Sequence, residues 1–411
     1  MKILYLIMDG LGDRPVPELG MKTPLEAACT PCLDELARKG MTGLMHLLAP
    51  GVPVGTDVGH ICLFGYDPAL IYTGRGPIEA VGAGCDMKPG ELAFRGNFAT
   101  VNEQGQVIDK RAGRIRERTA EIAAALSGMD VGGGVHVRVK EATEHRAAVI
   151  FSGPGLSTSL TNAYPSPLKP LPQDFPWVKA TSPEAEEFAG RVNTFMRKAQ
   201  EVMAGLDVNA DRVSRGLPPA NAILLRGPGF MPDVPPFSSR FPGVRTGIVV
   251  AQETVLALGK MMGMTIGRAP GMTGGMETDL NVKAREALRL LENHDLVFLH
   301  VKGPDLAGHD HLPETKKRII ENVDAMMASI LRQYDGPLIV AAGSDHSTPC
   351  AFGEHSGDPV PVLLSGPGLR FDATTAYNES AAACGGIGHI SGRDFLNVVL
   401  NAAYLVPKQG A

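Results

Sequence analysis

Short, continuous runs of apolar residues recur along the chain, and each ends abruptly in a polar or glycine-rich segment. The runs are KILYLIM, ANAILLR, GIVVA, DLVFLHVK, PLIVAAG and PVPVLLSG. Such runs are typical of strands buried on both faces, as in a parallel sheet covered by helices. Stretches with helical periodicity lie between them: TPCLDELARKG, VKAREALRLLEN and PETKKRIIENVDAMMASILRQY. This alternation predicts an α/β fold built on a mostly parallel sheet, whose ligands bind beyond the carboxyl ends of the strands.

The middle of the chain has a different pattern. FRGNFATV and VHVRVKEATEHRAAVIFSG alternate in polarity as hairpin strands do, and RIRERTAEIAAALSG between them is helical. The proline-rich segment NAYPSPLKPLPQDFP that follows is typical of a linker. We therefore predict a core domain formed by residues 1–93 and 176–411, and a small α+β insertion, a lid or substrate domain, formed by residues 94–175.

Composition argues against several classes of protein. With 411 residues, 44% hydrophobic and 20% charged, the chain reads as an ordinary globular protein. A formal net charge of -5 without a run of Lys or Arg argues against a nucleic-acid or membrane partner and favours a small polar ligand. Six scattered cysteines fit a reducing cytoplasm, and the apolar opening is too short for a signal peptide or a membrane span. We expect a cytoplasmic protein and leave its oligomeric state open.

Residues of metal-ligand type follow three of the predicted strands. They are Asp9, Asp305, His309, Asp345, His346 and, a little further along, His355. Asp305 and His309 are four residues apart, which places both side chains on one face of a helical turn. Taken singly, each has a structural interpretation as a turn aspartate, a helix cap or a polar loop residue. The repetition of one chemistry at three strand ends favours a site for two divalent ions such as manganese or zinc.

The hydroxyl of Thr56, in GVPVGTDVGH, has two interpretations. Threonine before an acidic residue is a common helix start, so the side chain could serve only as a cap. Two metal ions would instead make this alcohol a nucleophile for phosphoryl transfer. The two interpretations are compatible, because a helix N-terminus also stabilises a phosphate group.

Several motifs together resemble those of a known family. They are MDGLGDRP, TPLEAACTPCLDELARKG, GTDVGHICLFGYDP, YTGRGPIEAVGAG, FRGNFATV, DKRAGRI, HVKGPDLAGHD, GSDHSTPC, EHSGDPVPVLL and YNESAAACGGIGHISGRDF. In this order they resemble the archaeal-type cofactor-independent phosphoglycerate mutases of the alkaline phosphatase superfamily. The resemblance implies an alkaline-phosphatase-like core and the interconversion of 3-phosphoglycerate and 2-phosphoglycerate without 2,3-bisphosphoglycerate. It also implies two divalent ions, commonly manganese, with zinc, magnesium or cobalt as alternatives.

The resemblance also assigns roles to residues. It implies one ion held by Asp305, His309 and His355, and a second held by Asp9, Thr56, Asp345 and His346. Thr56 would accept the phosphoryl group and return it, although the family usually has serine at this position. Asp57 and His60 lie beside Thr56 in the motif without an assigned role.

The phosphate and carboxylate of phosphoglycerate call for fixed cations, and arginine can donate two parallel hydrogen bonds to either group. The candidates are Arg75, Arg95, Arg111, Arg114, Arg146, Arg226 and Lys302. We expect two or three of them to be solvated surface charges instead. His145 is a candidate general acid or base, or else a hairpin residue. The insertion would exclude water while the glycerate reorients.

Two other functions remain open. One is a metal-dependent phosphohydrolase of a small phosphate or phosphonate ester, which would use the same ligands and Thr56. The other is a homoserine-kinase-like relative, or a relative without catalytic activity that binds a phosphorylated metabolite.

Overall fold

The computed structural model describes residues 1–166, 168–406, 408 and 410. Its strands are β1 Lys2–Met8, β2 Gly40–His46, β3 Leu92–Val101, β4 Gln106–Asp109, β5 His136–Glu141, β6 Arg146–Ser152, β7 Gln173–Asp174, β8 Ala222–Phe230, β9 Thr246–Val249, β10 Thr265–Gly267, β11 Leu296–Val301, β12 Leu338–Gly343, β13 Val360–Ser365 and β14 Gly388–Ser391. Its α-helices are α1 Pro24–Ala27, α2 Pro31–Arg38, α3 Thr56–Leu63, α4 Pro68–Ile71, α5 Arg75–Gly82, α6 Thr119–Leu126, α7 Glu186–Ala204, α8 Asp207–Ser214, α9 Phe237–Arg240, α10 Glu253–Met261, α11 Leu280–Asn293, α12 Gly303–His309, α13 Pro313–Gln333, α14 Glu379–Ala382 and α15 Gly392–Ala402. Single 3₁₀ turns lie at Pro17–Leu19, Ala112–Arg114 and Pro183–Ala185.

The chain forms two compact units, of which the first contains residues 1–70 and 234–411. Among the described residues, its sheet has eight strands in the order β10-β9-β11-β1-β12-β13-β2-β14. All neighbouring pairs are parallel except the two that involve β13. The predicted α/β class with a mostly parallel sheet is confirmed.

Helices cover both faces of this sheet, which explains the uninterrupted apolar runs. On one face, β1 packs with side chains of α2, α11 and α13, such as Leu33, Ala287 and Ile320. On the other face, the ring of Tyr5 contacts Phe298 at 5.4 Å and Phe395 at 5.8 Å between centroids. Side chains along β1 point alternately to the two faces of the sheet. Because both faces are buried, both sets of side chains can be apolar.

The parallel register brings three strand ends to the same edge of the sheet. Met8 pairs with Val301 of β11, and Ile7 pairs with Gly343 of β12. The polar segments that follow β1, β11 and β12 therefore begin side by side.

The second unit contains residues 71–233. Its sheet runs in the order β5-β6-β3-β4-β7, and β8 pairs with β3. The predicted insertion, residues 94–175, lies inside this unit, which also includes α5, α7, α8 and β8. The unit is wider because β8 is antiparallel to β3 from Leu92 to Ala99.

The interpretation of ANAILLR as a strand of the main sheet was wrong. This run forms β8, in the second sheet. An apolar run indicates only that both faces of a strand are buried. In the second unit, α7 packs against β8 in the same way as helices pack against the strands of the main sheet. Burial therefore does not tell which sheet a strand joins.

Among the described helices, none combines the length and the apolar character that a membrane-spanning segment needs.

Candidate metal centre and arginine cluster

Thr56 is the first residue of α3, and the helix is preceded by Gly55 in extended conformation. Thr56 therefore lies one position inside the helix rather than at its cap. Its Oγ1 accepts a hydrogen bond from Nζ of Lys302 at 3.2 Å and lies 3.4 Å from Nε2 of His346. The hydroxyl is thus directed toward the residues at the strand ends.

Asp305, His309 and His355 form a first group, which we call cation site 1. Nδ1 of His309 donates to the carbonyl of Gly353, and Nδ1 of His355 donates to the carbonyl of Val54, both at 2.8 Å. Each Nε2 therefore carries a lone pair. These two atoms lie 3.2 Å apart, and Oδ1 of Asp305 lies 3.5 Å from each of them.

Asp9, Thr56, Asp345 and His346 form a second group, cation site 2. Nε2 of His346 lies 3.5 Å from Oδ1 of Asp9 and 3.2 Å from Oδ2 of Asp345. The three side chains are almost completely buried, and Gly10 N–H donates to the other oxygen of Asp345 at 3.2 Å. The ligand atoms of Asp9, Asp345 and His346 all lie within 4.8 Å of one another, as do those of Asp305, His346 and His355.

Both sites have the donor set that a divalent cation requires. In site 1, two imidazole lone pairs and a carboxylate oxygen converge, an arrangement that is repulsive without a cation or a proton. In site 2, Oδ2 of Asp345 is buried without a hydrogen-bond partner among the described residues. Mixed imidazole and carboxylate ligands suit manganese, zinc or a similar ion. These residues therefore fit two divalent cations.

Lys302, a candidate for substrate binding, contacts a residue of each cation site. Its Nζ lies 2.8 Å from Oδ1 of Asp9 and 2.6 Å from Oδ2 of Asp305. Burial alone would lower the pKa of Lys302, but Asp9 and Asp305 outweigh it and raise the pKa. The ammonium group is therefore held charged between the sites, where it also donates to Thr56.

The carboxylates of the site are held ionised despite their burial. Burial raises the pKa of Asp345, but His346 and His60 outweigh it and lower the pKa. The pKa of Asp305 is likewise lowered, because Lys302 outweighs burial. Burial would lower the pKa of His355, but Asp305 raises it, so a proton can take the place of a cation in site 1.

Two buried histidines support the ligands, and sequence reasoning missed one of them. Nε2 of His300 donates to Oδ2 of Asp9 at 2.9 Å, and burial lowers the pKa of His300 to about 4. Nδ1 of His60 donates to the carbonyl of Thr56 at 2.8 Å. His300 lies within the apolar run of β11, so the strand pattern concealed it. Asp57 is nearly buried, and its Oδ1 accepts the N–H of Val58 at 3.0 Å.

Four of the candidate arginines form a cluster in the second unit around one acid. Nη1 of Arg95 lies 3.0 Å from Glu79, and Nε of Arg75 lies 3.1 Å from the same oxygen. Arg95 is directly opposite Arg226 across β3 and β8, and Arg146 begins β6 beside them. Burial lowers the pKa of Arg95; Glu79 opposes this shift and the neighbouring arginines reinforce it. Nε of Arg95, Arg146 and Arg226 is buried without a partner among the described residues. The cluster therefore has excess positive charge and unused donors, which suits an anion.

The other candidates of the second unit have more varied surroundings. His145 is buried, and burial together with Arg146 and Arg111 lowers its pKa to about 4. Arg111 precedes a 3₁₀ turn and Arg114 ends it, and both are exposed.

Comparisons with known proteins identify the family of this chain. The family model for 2,3-bisphosphoglycerate-independent phosphoglycerate mutase matches residues 37–209. Relatives with that name from Ignicoccus hospitalis and Methanopyrus kandleri are 44% and 42% identical; the alignments cover 100% of this chain and 99% and 98% of theirs. The solved cofactor-independent phosphoglycerate mutase of Thermoplasma acidophilum is 32% identical with a TM-score of 0.72, covering 98% of this chain and 100% of that one. A solved protein from Pyrococcus horikoshii is 34% identical with a TM-score of 0.86, covering 100% and 99%. The chain therefore belongs to the 2,3-bisphosphoglycerate-independent phosphoglycerate mutases, a family of isomerases.

Proposed function

We propose that this protein interconverts 3-phosphoglycerate and 2-phosphoglycerate with two divalent metal ions, and that Thr56 carries the phosphoryl group between the two hydroxyls. The observation that carries the proposal is the position of the Thr56 hydroxyl, which lies beside His346 of cation site 2 and Lys302. Membership in a family of cofactor-independent mutases supports the substrate and the absence of 2,3-bisphosphoglycerate as a cofactor.

The donor sets support an assignment of the two ions. Asp305, His309 and His355 would hold one ion, and Asp9, Asp345, His346 and Thr56 would hold the other, as the resemblance implied. Divalent cations bound there would favour the alkoxide form of an alcohol and neutralise charge on a transferring phosphoryl group.

Residues of the protein then have distinct roles in the reaction. The Lys302 ammonium donates to the Thr56 oxygen and, remaining charged, stabilises negative charge that develops on this oxygen and on the phosphoryl group. The start of α3 at Thr56 directs backbone N–H groups and the positive end of the helix dipole toward the phosphothreonine. His300 fixes one oxygen of Asp9, so that the other oxygen remains available to a cation.

We further propose that the arginine cluster of Arg75, Arg95, Arg146 and Arg226 binds an anionic group of the substrate. Support comes from the contacts of Arg75 and Arg95 with Glu79 and from the buried Nε donors of Arg95, Arg146 and Arg226, which have no partner among the described residues. Like charges placed directly opposite each other across strands destabilise a sheet, so the Arg95–Arg226 pair points to a role in binding. His145, whose pKa is lowered to about 4, is neutral at pH 7 and would accept a hydrogen bond from a substrate hydroxyl.

Paired substitutions at Thr56 test the proposal. Thr56→Ser keeps an alcohol and should retain mutase activity with Mn²⁺, whereas Thr56→Ala should lose it by several orders of magnitude. Intact-mass measurement after rapid quenching with 3-phosphoglycerate should detect one added phosphate on the wild type and on Thr56→Ser. Undiminished mutase activity in Thr56→Ala would refute the role of Thr56. Release of inorganic phosphate without 2-phosphoglycerate would instead identify a hydrolase.

A further inference from the structure

We propose that Thr348 is a positioning residue that couples the two cation sites, because its hydroxyl bonds to one ligand of each. This inference rests on the proposed metal centre. Oγ1 of Thr348 lies 2.7 Å from Oδ1 of Asp305, a ligand of site 1, and 3.1 Å from Nδ1 of His346, a ligand of site 2. Thr348 itself is completely buried.

The hydrogen-bonding capacity of the three groups fixes the direction of both bonds. Asp305 pairs with the Lys302 ammonium at 2.6 Å, so its carboxylate is ionised and only accepts hydrogen bonds. The single hydroxyl proton of Thr348 must therefore be donated to Asp305. It follows that Nδ1 of His346 carries a proton and donates it to the Thr348 oxygen. In the neutral ring, Nε2 of His346 is then the unprotonated nitrogen, and this is the atom that faces Asp9 and Asp345.

One hydroxyl thus performs two tasks. It selects the His346 tautomer whose lone pair is available in site 2, and it orients the Asp305 oxygen that faces His309 and His355 in site 1. Partners of this kind set the orientation and the basicity of metal ligands. Because both bonds share one oxygen atom, a change at Thr348 affects both sites together.

The backbone of Thr348 is fixed by a buried ion pair. Its N–H donates to the carbonyl of Gly12 at 3.0 Å, and its carbonyl accepts from Nζ of Lys316 at 3.0 Å. Lys316 also donates to Asp13 at 2.8 Å, and Asp13 accepts the N–H of Cys350 at 3.0 Å. These bonds tie the segment after β1 to the segment after β12, so the Thr348 hydroxyl has little freedom to move away.

Two glycines leave room for this side chain. A Cβ at Gly10 would lie 2.6 Å from Oγ1 of Thr348, and a Cβ at Gly308 would lie 2.8 Å from its Cγ2. Gly10 directly follows Asp9, and Gly308 directly precedes His309. Thr348 is therefore packed between the backbone segments that carry ligands of both sites, and its methyl group as well as its hydroxyl is enclosed.

The test compares Thr348→Val, which keeps the shape and removes the hydroxyl, with Thr348→Ser, which keeps the hydroxyl. Thr42→Val is the matched control, because Thr42 is also completely buried in the first unit and its hydroxyl donates only to Thr374, at 3.2 Å. The measurement is calorimetric titration of metal-free protein with Mn²⁺, which gives the affinity of each site.

We expect Thr348→Val to weaken Mn²⁺ binding at both sites by roughly 10- to 100-fold, the usual effect of removing a partner of a metal ligand. Thr348→Ser should keep both affinities, and Thr42→Val should keep both even where its thermal stability falls.

Two bound Mn²⁺ ions with wild-type affinities in Thr348→Val would overturn this inference alone. If Thr348→Val does not fold, Thr348→Ala, which also removes the hydroxyl, takes its place, and wild-type Mn²⁺ affinities at both sites in that variant would overturn the inference. Wild-type protein that binds no Mn²⁺ would overturn the metal centre and this inference together. Mutase activity is not used in these measurements, so a failure of the phosphothreonine route would be recognised separately.

Discussion

Nε2 of His309 and Nε2 of His355 lie 3.2 Å apart, although in the neutral rings neither atom has a proton to share with the other. Each ring donates its Nδ1 proton to a backbone carbonyl, to Gly353 in one case and to Val54 in the other. Two lone pairs and the Asp305 carboxylate at this distance repel one another unless a positive charge lies among them. The backbone thus holds three ligands in an arrangement that a cation stabilises.

Removal of one of these imidazoles should reduce the number of bound ions. We expect wild-type protein to bind two Mn²⁺ per chain, and His355→Ala or His309→Ala to bind one tightly, because site 2 keeps its own ligands. Metal content after dialysis, measured by mass spectrometry of the element, checks this. His389→Ala is the control, since His389 pairs with His46 at 2.9 Å outside both sites.

One result of the metal-content measurement would contradict the assignment of site 1. Two tightly bound ions in His355→Ala would exclude His355 as a ligand. Chelation of wild-type protein should abolish mutase activity and Mn²⁺ should restore it, whereas full activity after complete chelation would contradict metal dependence.

Substitution of Arg95 should separate binding from stability. Arg95→Met keeps much of the side-chain length and removes a buried charge that three other arginines repel. We expect KM for 3-phosphoglycerate to rise by one to two orders of magnitude, corresponding to loss of about 1.5–3 kcal/mol for a hydrogen bond to a charged group. Sulfate should also stabilise the wild type against heat more than it stabilises the variant. Steady-state kinetics and thermal unfolding provide the two measurements.

The control for Arg95 is Arg118→Met. Arg118 is exposed and lies 2.6 Å from Glu121 in the same unit, so its loss should change neither KM nor the effect of sulfate. An unchanged KM in Arg95→Met would show that the cluster does not bind substrate.

The main sheet and the grouping of its strand-end residues were predictable because they follow from local chemistry. A parallel sheet aligns the ends of its strands, so Asp9, Asp305 and Asp345 meet once the apolar runs are recognised as strands. The position of β8 was not predictable in this way, since pairing with β3 depends on tertiary packing. Its apolar pattern is the same in either sheet.

The supporting residues of the site were harder to recognise from the sequence. His300 lies in a buried strand, and its role in the site depends on the hydrogen bond between its ring and Asp9. The sequence does not show this bond. Lys302 was expected to bind substrate, and its contacts with two metal-ligand carboxylates depend on side-chain directions that spacing does not encode. Thr348 lies within a recognised motif, but its hydrogen bonds are visible only in three dimensions.

His145 should make the stability of the protein depend on acidity. Its pKa is lowered to about 4 in the folded state, from an unfolded value near 6.5. A depressed histidine pKa means that the unfolded chain binds more protons between these values. This contribution to stability is therefore complete above about pH 6.5 and declines as the pH falls toward 4. Urea unfolding from pH 7 to pH 4.5 should detect the decline, and His145→Gln should decline less steeply. Equal slopes in both proteins would contradict the low pKa.

Gly10→Ala should disturb the site more than its backbone conformation alone explains. Gly10 has φ of 62°, and a Cβ there would lie 2.6 Å from Cβ of Asp305. Gly20 has a similar φ of 67°, and a Cβ there would meet nothing within 4 Å, so Gly20→Ala measures the conformational strain by itself. That strain amounts to about 1–2 kcal/mol for an L-residue in the left-handed region.

The steric conflict at Gly10 adds to this strain, because Asp305 and Thr348 are both buried and cannot withdraw. We therefore expect Gly10→Ala to lower the free energy of unfolding by more than Gly20→Ala, by a further ~1–3 kcal/mol typical of overpacking. It should also weaken Mn²⁺ binding, which Gly20→Ala should leave unchanged. Urea denaturation and Mn²⁺ titration of the two variants provide the comparison. Equal losses of stability in the two variants, with intact Mn²⁺ binding, would mean that the segments around Gly10 shift to accommodate a methyl group. The close approach of Asp305 to Gly10 would then not be needed to hold the ligands.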